Sequence, residues 1–183
     1  YIYYPSFYEA GGHSNWVVHA PTPTGPWSDP IDLEVGHIDP GHVVGPDGRR
    51  YLMLSGGHIL QLTGDGLATD GEPRKVYDGW PLPEDWVIEC FSLESPKFTL
   101  LDGWYYLTVA EGGTAGPATS HSVVQSRSRT PWGPWEHSPY NPVVHTASRH
   151  DRWWSRGHGT LVDTPDGRWY VMYHAYEKGF QTL

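Results

Sequence analysis

The sequence predicts an all-β protein built as a β-propeller, on three observations. No window keeps apolar residues at i, i+3, i+4 and i+7 for long, and the 17 prolines interrupt every helical candidate. Short runs rich in Val, Ile, Tyr and Trp recur instead, separated by Gly, Pro and Asp clusters that suit turns. Two interleaved repeats then set the architecture, with units of roughly 50 to 65 residues that read as propeller blades. A sandwich would also alternate strands and turns, but it would not explain both repeats.

The strands follow in order. The chain opens inside an apolar strand pattern, Tyr1-Ile2-Tyr3-Tyr4, and further runs cover 15–19, 50–54, 58–62, 104–109, 122–125 and 168–174. Three strands share one device. Pro46-Asp47-Gly48 precedes Arg50-Tyr51-Leu52-Met53-Leu54, Asp102-Gly103 precedes Trp104-Tyr105-Tyr106-Leu107, and Pro165-Asp166-Gly167 precedes Arg168-Trp169-Tyr170-Val171. Asp-Gly supplies the positive φ angles of a tight hairpin, so each is predicted to be one. The second repeat is Thr22-Pro23-Thr24-Gly25-Pro26-Trp27, which recurs as Thr130-Pro131-Trp132-Gly133-Pro134-Trp135. Neither end carries a cap or polar tail, so the chain is expected to be a fragment of something longer.

Composition narrows the function classes. Twelve basic against 21 acidic residues give a formal charge of −9, which argues against a nucleic-acid or anionic-membrane surface. Nothing approaches the ~20 apolar residues of a membrane-spanning helix. Cys90 is the single cysteine, so neither a disulfide framework nor a thiolate metal cluster can form within the chain. Aromatic residues make up 14% of the chain, ten of them tryptophan, and such faces suit neutral sugars. That composition is a hint of an oligosaccharide or polysaccharide partner and no more.

Propellers place function at the axis, near the starts of the innermost strands. Three segments open hairpin units there: Ile38-Asp39-Pro40, Leu93-Glu94-Ser95-Pro96 and Arg156-Gly157-His158-Gly159. Glycosidic hydrolysis needs one carboxyl protonated to release the leaving oxygen and another ionised to activate water or attack the sugar. A further carboxylate nearby raises the acid's pKa by like-charge repulsion. Asp39 and Glu94 fit such roles, although an acid at a strand start also serves as a turn or capping residue. Among the competing acids, Glu89 lies five residues from Glu94 and should face the other side of a continuous strand. Glu111 is read as a loop-ordering residue, and Asp47, Asp102 and Asp166 as turn residues.

Eleven histidines call for a metal test. His37 and His42 are five apart, His158 and His174 sixteen apart across a hairpin, and HExxH is absent, so a catalytic zinc site is not expected. His158 between two glycines can approach the axis and bind a central cation or water, or serve as a plain hydrogen-bonded histidine. GxSxG, GxxxxGK[ST] and GxGxxG are all missing, which removes the hydrolase elbow and the phosphate cradles.

Taken together, these openings resemble glycoside hydrolase family 43, five-bladed propeller glycosidases that include β-xylosidases, α-L-arabinofuranosidases and arabinanases. Four stretches bear the likeness: Ile38-Asp39-Pro40 with Pro46-Asp47-Gly48; Leu93-Glu94-Ser95-Pro96-Lys97-Phe98 with Asp102-Gly103; Ala110-Glu111-Gly112-Gly113-Thr114 with His121-Ser122-Val123-Val124; and Gly157-His158-Gly159-Thr160 with Pro165-Asp166-Gly167. The resemblance implies Glu94 as general acid, Asp39 as modulator of its pKa, His158 as ligand of a central cation or water, and His121 in substrate binding. Trp80 and Trp86, flanking a Pro-rich connection, are candidates for the pocket rim. No cofactor is implied for the chemistry, only a structural Ca2+ at the axis.

The family inverts the anomeric centre with a first-blade aspartate as base, and no residue here matches it. Residues 1–35 then correspond to part of the second blade, 36–85 to the third, 86–148 to the fourth and 149–183 to part of the fifth. An incomplete ring of this kind is expected to be marginally stable alone and inactive. The function implied is inverting hydrolysis of xylan, arabinoxylan or arabinan glycosides. A non-catalytic sugar-binding propeller and a related five-bladed glycosidase or phosphorylase are the alternatives.

Overall fold

The computed structural model describes residues 1–178; the chain end at 181–183, read above as uncapped, lies outside the described residues. Strands β1 (Ile2–Phe7), β2 (His13–Val18) and β3 (Ile31–Asp32) form the first sheet. The second is a meander of β4 (Gly41–Val44), β5 (Arg50–Leu54), β6 (His58–Leu62) and β7 (Arg74–Lys75), with a 3-10 turn at Ser55–Gly57. The third runs through β8 (Leu93–Leu101), β9 (Trp104–Glu111), β10 (Ser122–Ser128) and β11 (Glu136–His137), and β12 (Val144–His145) pairs with the start of β10. A long hairpin, β13 (Trp153–Asp163) and β14 (Trp169–Glu177), forms the fourth. All pairings are antiparallel, and β8 packs against both β4 and β13, the three inner strands. The fold is all-β, with successive meanders arranged as propeller blades.

The second sheet shows why a short strand can be apolar throughout. Alternate side chains leave a strand on opposite faces. Tyr51 and Met53 of β5 and Ile59 of β6 enter a core shared with Leu93, Tyr105, Leu107, Val109 and Val124 of the third sheet. Leu52, Leu54, Leu60 and Leu62 enter the opposite core, with Val17, Leu33 and Val35 of the first sheet. Both faces are thus buried between neighbouring blades. Cutting one of these leucines to alanine costs about 2–5 kcal/mol, because the tightly packed neighbours close the hole only in part.

The sheets approach closely at their inner edge. A Cβ on Gly41, at the start of β4, would overlap the carbonyl of Pro96 in β8. That contact sets the second and third sheets edge to edge just where Asp39 and Glu94 stand.

The hairpins divide into two types. At Asp102-Gly103 both residues have positive φ, 49° and 71°, as a two-residue turn requires. At Asp47-Gly48 and Asp166-Gly167 only the glycines do, at 80° and 79°. Those two loops are longer. Gly45 N–H donates to Arg49 O and Thr164 N–H to Arg168 O, while the preceding Pro46 and Pro165 pre-set the turn. All three Asp-Gly positions thus form hairpins as predicted, and one of the three is the two-residue tight turn. The Thr-Pro repeats, in contrast, form one and the same turn: Thr22 Oγ1 donates to Gly25 O at 2.9 Å and Thr130 Oγ1 to Gly133 O at 2.7 Å.

Large apolar side chains are exposed on the outer sheets, among them Phe7 and Tyr8 beside β1 and Tyr170, Met172 and Tyr173 on β14.

Candidate active site

Each candidate side chain stands on irregular backbone. Asp39 precedes β4 with φ 57°, a left-handed conformation that a non-glycine residue adopts at some cost. Glu94 opens a break in the β8–β9 register between Glu94 and Lys97, where Ser95 has φ 49°. His158 (φ 53°) lies within a register shift of β13 against β14, between Gly157 and Thr160. Bulges re-aim side chains next to functional sites, and here register shifts fall at Glu94 in β8 and at His158 in β13, while Asp39 takes its left-handed turn just before β4.

The resulting cluster is compact. Asp39 Oδ2 accepts the backbone N–H of Ser95 at 3.0 Å, fixing the carboxylate to the strand that bears Glu94. His158 bridges the two acids, with Nε2 3.9 Å from Asp39 Oδ2 and Nδ1 3.8 Å from Glu94 Oε2. Thr114 Oγ1 donates to Glu94 Oε2 at 3.3 Å. Both carboxylates keep a partly open face, with side chains 21% and 24% exposed.

Burial raises the Glu94 carboxyl above the usual range, and the charge of Asp39 raises it further; the Thr114 hydrogen bond works the other way. Glu94 therefore holds its proton to higher pH than a free glutamate. Desolvation also lowers His158, with the Asp39 charge opposing it.

The other residues singled out from sequence take varied positions. His121, just before β10, is fully buried behind Glu94, with Nε2 3.8 Å from Glu94 Oε2, and burial lowers its pKa to about 3. Trp80 packs against the core shared by the second and third sheets and meets Trp86 edge-on at 6.0 Å. Trp86 stacks on His145 at 5.2 Å, and both line a cavity of about 290 Å³ with Asp85, Thr119 and Thr146. Glu89 corrects an expectation. It lies outside any strand, so strand alternation does not apply: its Oε2 accepts Ala115 N–H at 2.7 Å, and its charge adds to the raising of Glu94. Glu111 is buried at the end of β9, where Oε1 accepts the backbone N–H of Trp80 at 2.8 Å.

One convergence escaped the sequence reading. His121, His158 and His174 each offer a ring nitrogen, and these atoms lie within 4.8 Å of one another. The available signal was the β13–β14 hairpin, whose register sets Gly157 opposite His174. The entry of His121 from β10 had no local signal.

The chain is similar to several known proteins. Xylan 1,3-beta-xylosidase of a Vibrio species is 33% identical over 172 residues, covering 87% of this chain and 30% of its own length. The non-reducing end alpha-L-arabinofuranosidase BoGH43B of Bacteroides ovatus is 34% identical over 167 residues, covering 88% and 29%. The crystal structure of xylan beta-1,4-xylosidase from Bacillus halodurans C-125 superposes with a TM-score of 0.76 at 30% identity, over 91% of this chain and 32% of that one. The chain thus spans less than a third of the length of these relatives. The family described as glycosyl hydrolases family 43 matches residues 1–183. With inner strands that bring Asp39, Glu94 and His158 to one point and a match that runs its whole length, this chain belongs to glycosyl hydrolase family 43.

Proposed function

We propose that the protein hydrolyses glycosidic bonds of xylose- or arabinofuranose-bearing hemicellulose with inversion, Glu94 serving as general acid and Asp39 as the modulator of its pKa. The observation that supports this most is the raised Glu94 carboxyl beside an Asp39 carboxylate tied to Ser95 N–H. A general acid must be protonated at working pH and still reach the leaving oxygen. Glu94 combines burial enough to keep its proton with a face that is 24% open.

On this reading the Asp39 carboxylate acts through space. Its negative charge makes ionisation of Glu94 costlier, while the Ser95 hydrogen bond holds that charge at fixed distance. His158, between the two acids, limits their relative movement. An inverting reaction needs a third carboxylate to deprotonate the attacking water. Neither Asp39 nor Glu94 is free for that part, and the base is assigned outside these residues. The sugar class follows from the relatives' names, xylosidase and arabinofuranosidase.

The test is an assay of the protein, with its natural flanking sequence, on aryl β-xyloside and aryl α-L-arabinofuranoside, with the product anomer followed by NMR before mutarotation. Inverted sugar from either substrate supports the proposal. Retained configuration, or binding of xylo- and arabino-oligosaccharides without turnover, overturns it.

A further inference from the structure

The three histidines behind Glu94 bear on what cation the axis would take. A central Ca2+ is the expectation drawn from family resemblance, and the donors can be tested against it. Ca2+ takes six to eight oxygen ligands. Here the converging atoms are imidazole nitrogens from His121, His158 and His174. That donor set does not fit Ca2+; imidazole suits zinc, cobalt, nickel and copper.

Two further observations point to a ligand. Among the described residues, both ring nitrogens of His121, on a side chain with no solvent exposure, lack a hydrogen-bond partner, and so does Nδ1 of His158. Buried ring nitrogens ordinarily find a partner, and three unmet ones beside each other mark a place that a shared ligand would satisfy. The rings also face one another, with centroids 5.1 to 5.5 Å apart and planes inclined by 40° to 60°. Tetrahedral zinc at about 2.0–2.1 Å from each nitrogen needs separations of about 3.3 Å. Side-chain torsions can close the remaining distance.

We propose that His121, His158 and His174 form a three-imidazole site for a borderline divalent cation of the zinc class. Its fourth side faces Glu94, whose Oε2 lies 3.8 Å from both His121 Nε2 and His158 Nδ1. The site itself does not rest on the hydrolase reading.

The experiment uses Co2+ as a spectroscopic probe on the metal-stripped protein with its natural flanking sequence, without substrate. One equivalent should raise a visible absorption band of nitrogen coordination, which Zn2+ abolishes and a hundredfold excess of Ca2+ leaves in place. Loss of a neighbouring second-sphere group already costs metal sites about 10–100-fold in affinity, so His174→Ala and His158→Ala should each weaken Co2+ by at least tenfold. His58→Ala, in the separate His37–His58 stack, serves as control and should bind as the parent does. Displacement of Co2+ by equimolar Ca2+, or unchanged affinity in both folded site variants, overturns the proposal. Because binding is read without substrate, failure of the metal site and failure of the hydrolase reading are separable.

Discussion

Asp39 Oδ2 and the backbone N–H of Ser95 are joined at 3.0 Å across 56 positions of sequence. The Asp39 carboxylate is therefore attached to the strand that bears Glu94, and movement between the two sheets is restrained at that point. This bond ties a pH property to a piece of inter-blade packing.

The first prediction separates charge from position. Asparagine at 39 keeps an oxygen to accept Ser95 N–H and loses the negative charge. Glu94 then ionises at lower pH, so the alkaline limb of kcat/KM in Asp39→Asn moves down. Burial is the larger cause of the raised Glu94 carboxyl and survives the substitution, so part of the elevation remains. Thr114→Val has the opposite sign, since it removes a hydrogen bond that favours the ionised form. Its limb moves up. Two pH profiles shifted in one direction would contradict this account of Glu94.

The second concerns proton donation itself. Glu94→Gln keeps the shape and cannot give a proton, so hydrolysis of substrates with poor leaving groups should fall by about 10²–10⁴-fold. Aryl glycosides with acidic phenols need little protonation and should lose much less. Equal losses on both, measured as kcat/KM, would remove Glu94 from the acid role.

Much of this was legible because it is local. The Asp-Gly turns, the Thr-Pro repeat and the polar residue opening each inner strand are all written within a few positions. What stayed hidden lies between blades. The Ser95 bond to Asp39, the Glu111 clasp on Trp80 and the entry of His121 beside His158 each depend on how separate sheets abut. Glu89 shows the same limit from the other side: strand alternation was applied across 89–94, and the chain is irregular there until β8 begins at Leu93. The hairpin types at Asp47 and Asp166 were missed for a different reason. A preceding proline changes what an Asp-Gly pair builds.

The third prediction tests the packing that holds the histidines. A Cβ at Gly157 would fall within the His121 ring, which is fully buried. Gly157→Ala therefore displaces either that ring or β13, and overpacking of this kind costs about 1–3 kcal/mol. At Gly159 the added carbon meets two Val123 methyls at 2.8 Å, which can give way more easily than a ring. At Gly64 it meets nothing within 4 Å. Urea midpoints should fall in the order Gly157→Ala, Gly159→Ala, Gly64→Ala, with the first the largest loss. A Gly157→Ala midpoint equal to that of Gly64→Ala would show that the ring contact carries no cost.

The last prediction concerns Glu111. Its Oε1 accepts Trp80 N–H, while Oε2 is buried without a hydrogen-bond partner among the described residues, and burial raises the carboxyl from 4.5 to about 7. A pKa raised in the folded state means that the unfolded chain loses its proton first as pH rises. Below pH 4.5 both states are protonated and nothing is lost. Between about 4.5 and 7 the unfolded state gains stability relative to the folded one, and above 7 the penalty is constant at about 3 kcal/mol. Glu111→Gln keeps an oxygen for Trp80 N–H and never ionises. Its unpaired amide N–H adds a cost of about 1–3 kcal/mol that does not vary with pH. The informative quantity is thus the stability of the variant minus that of the parent, from urea unfolding at pH 4.5, 6 and 8. That difference should rise with pH in favour of glutamine by up to about 3 kcal/mol and level off near pH 8. A difference that stays flat would mean that Glu111 titrates alike in the folded and unfolded chain, and that the clasp on Trp80 is made by an ordinary carboxylate.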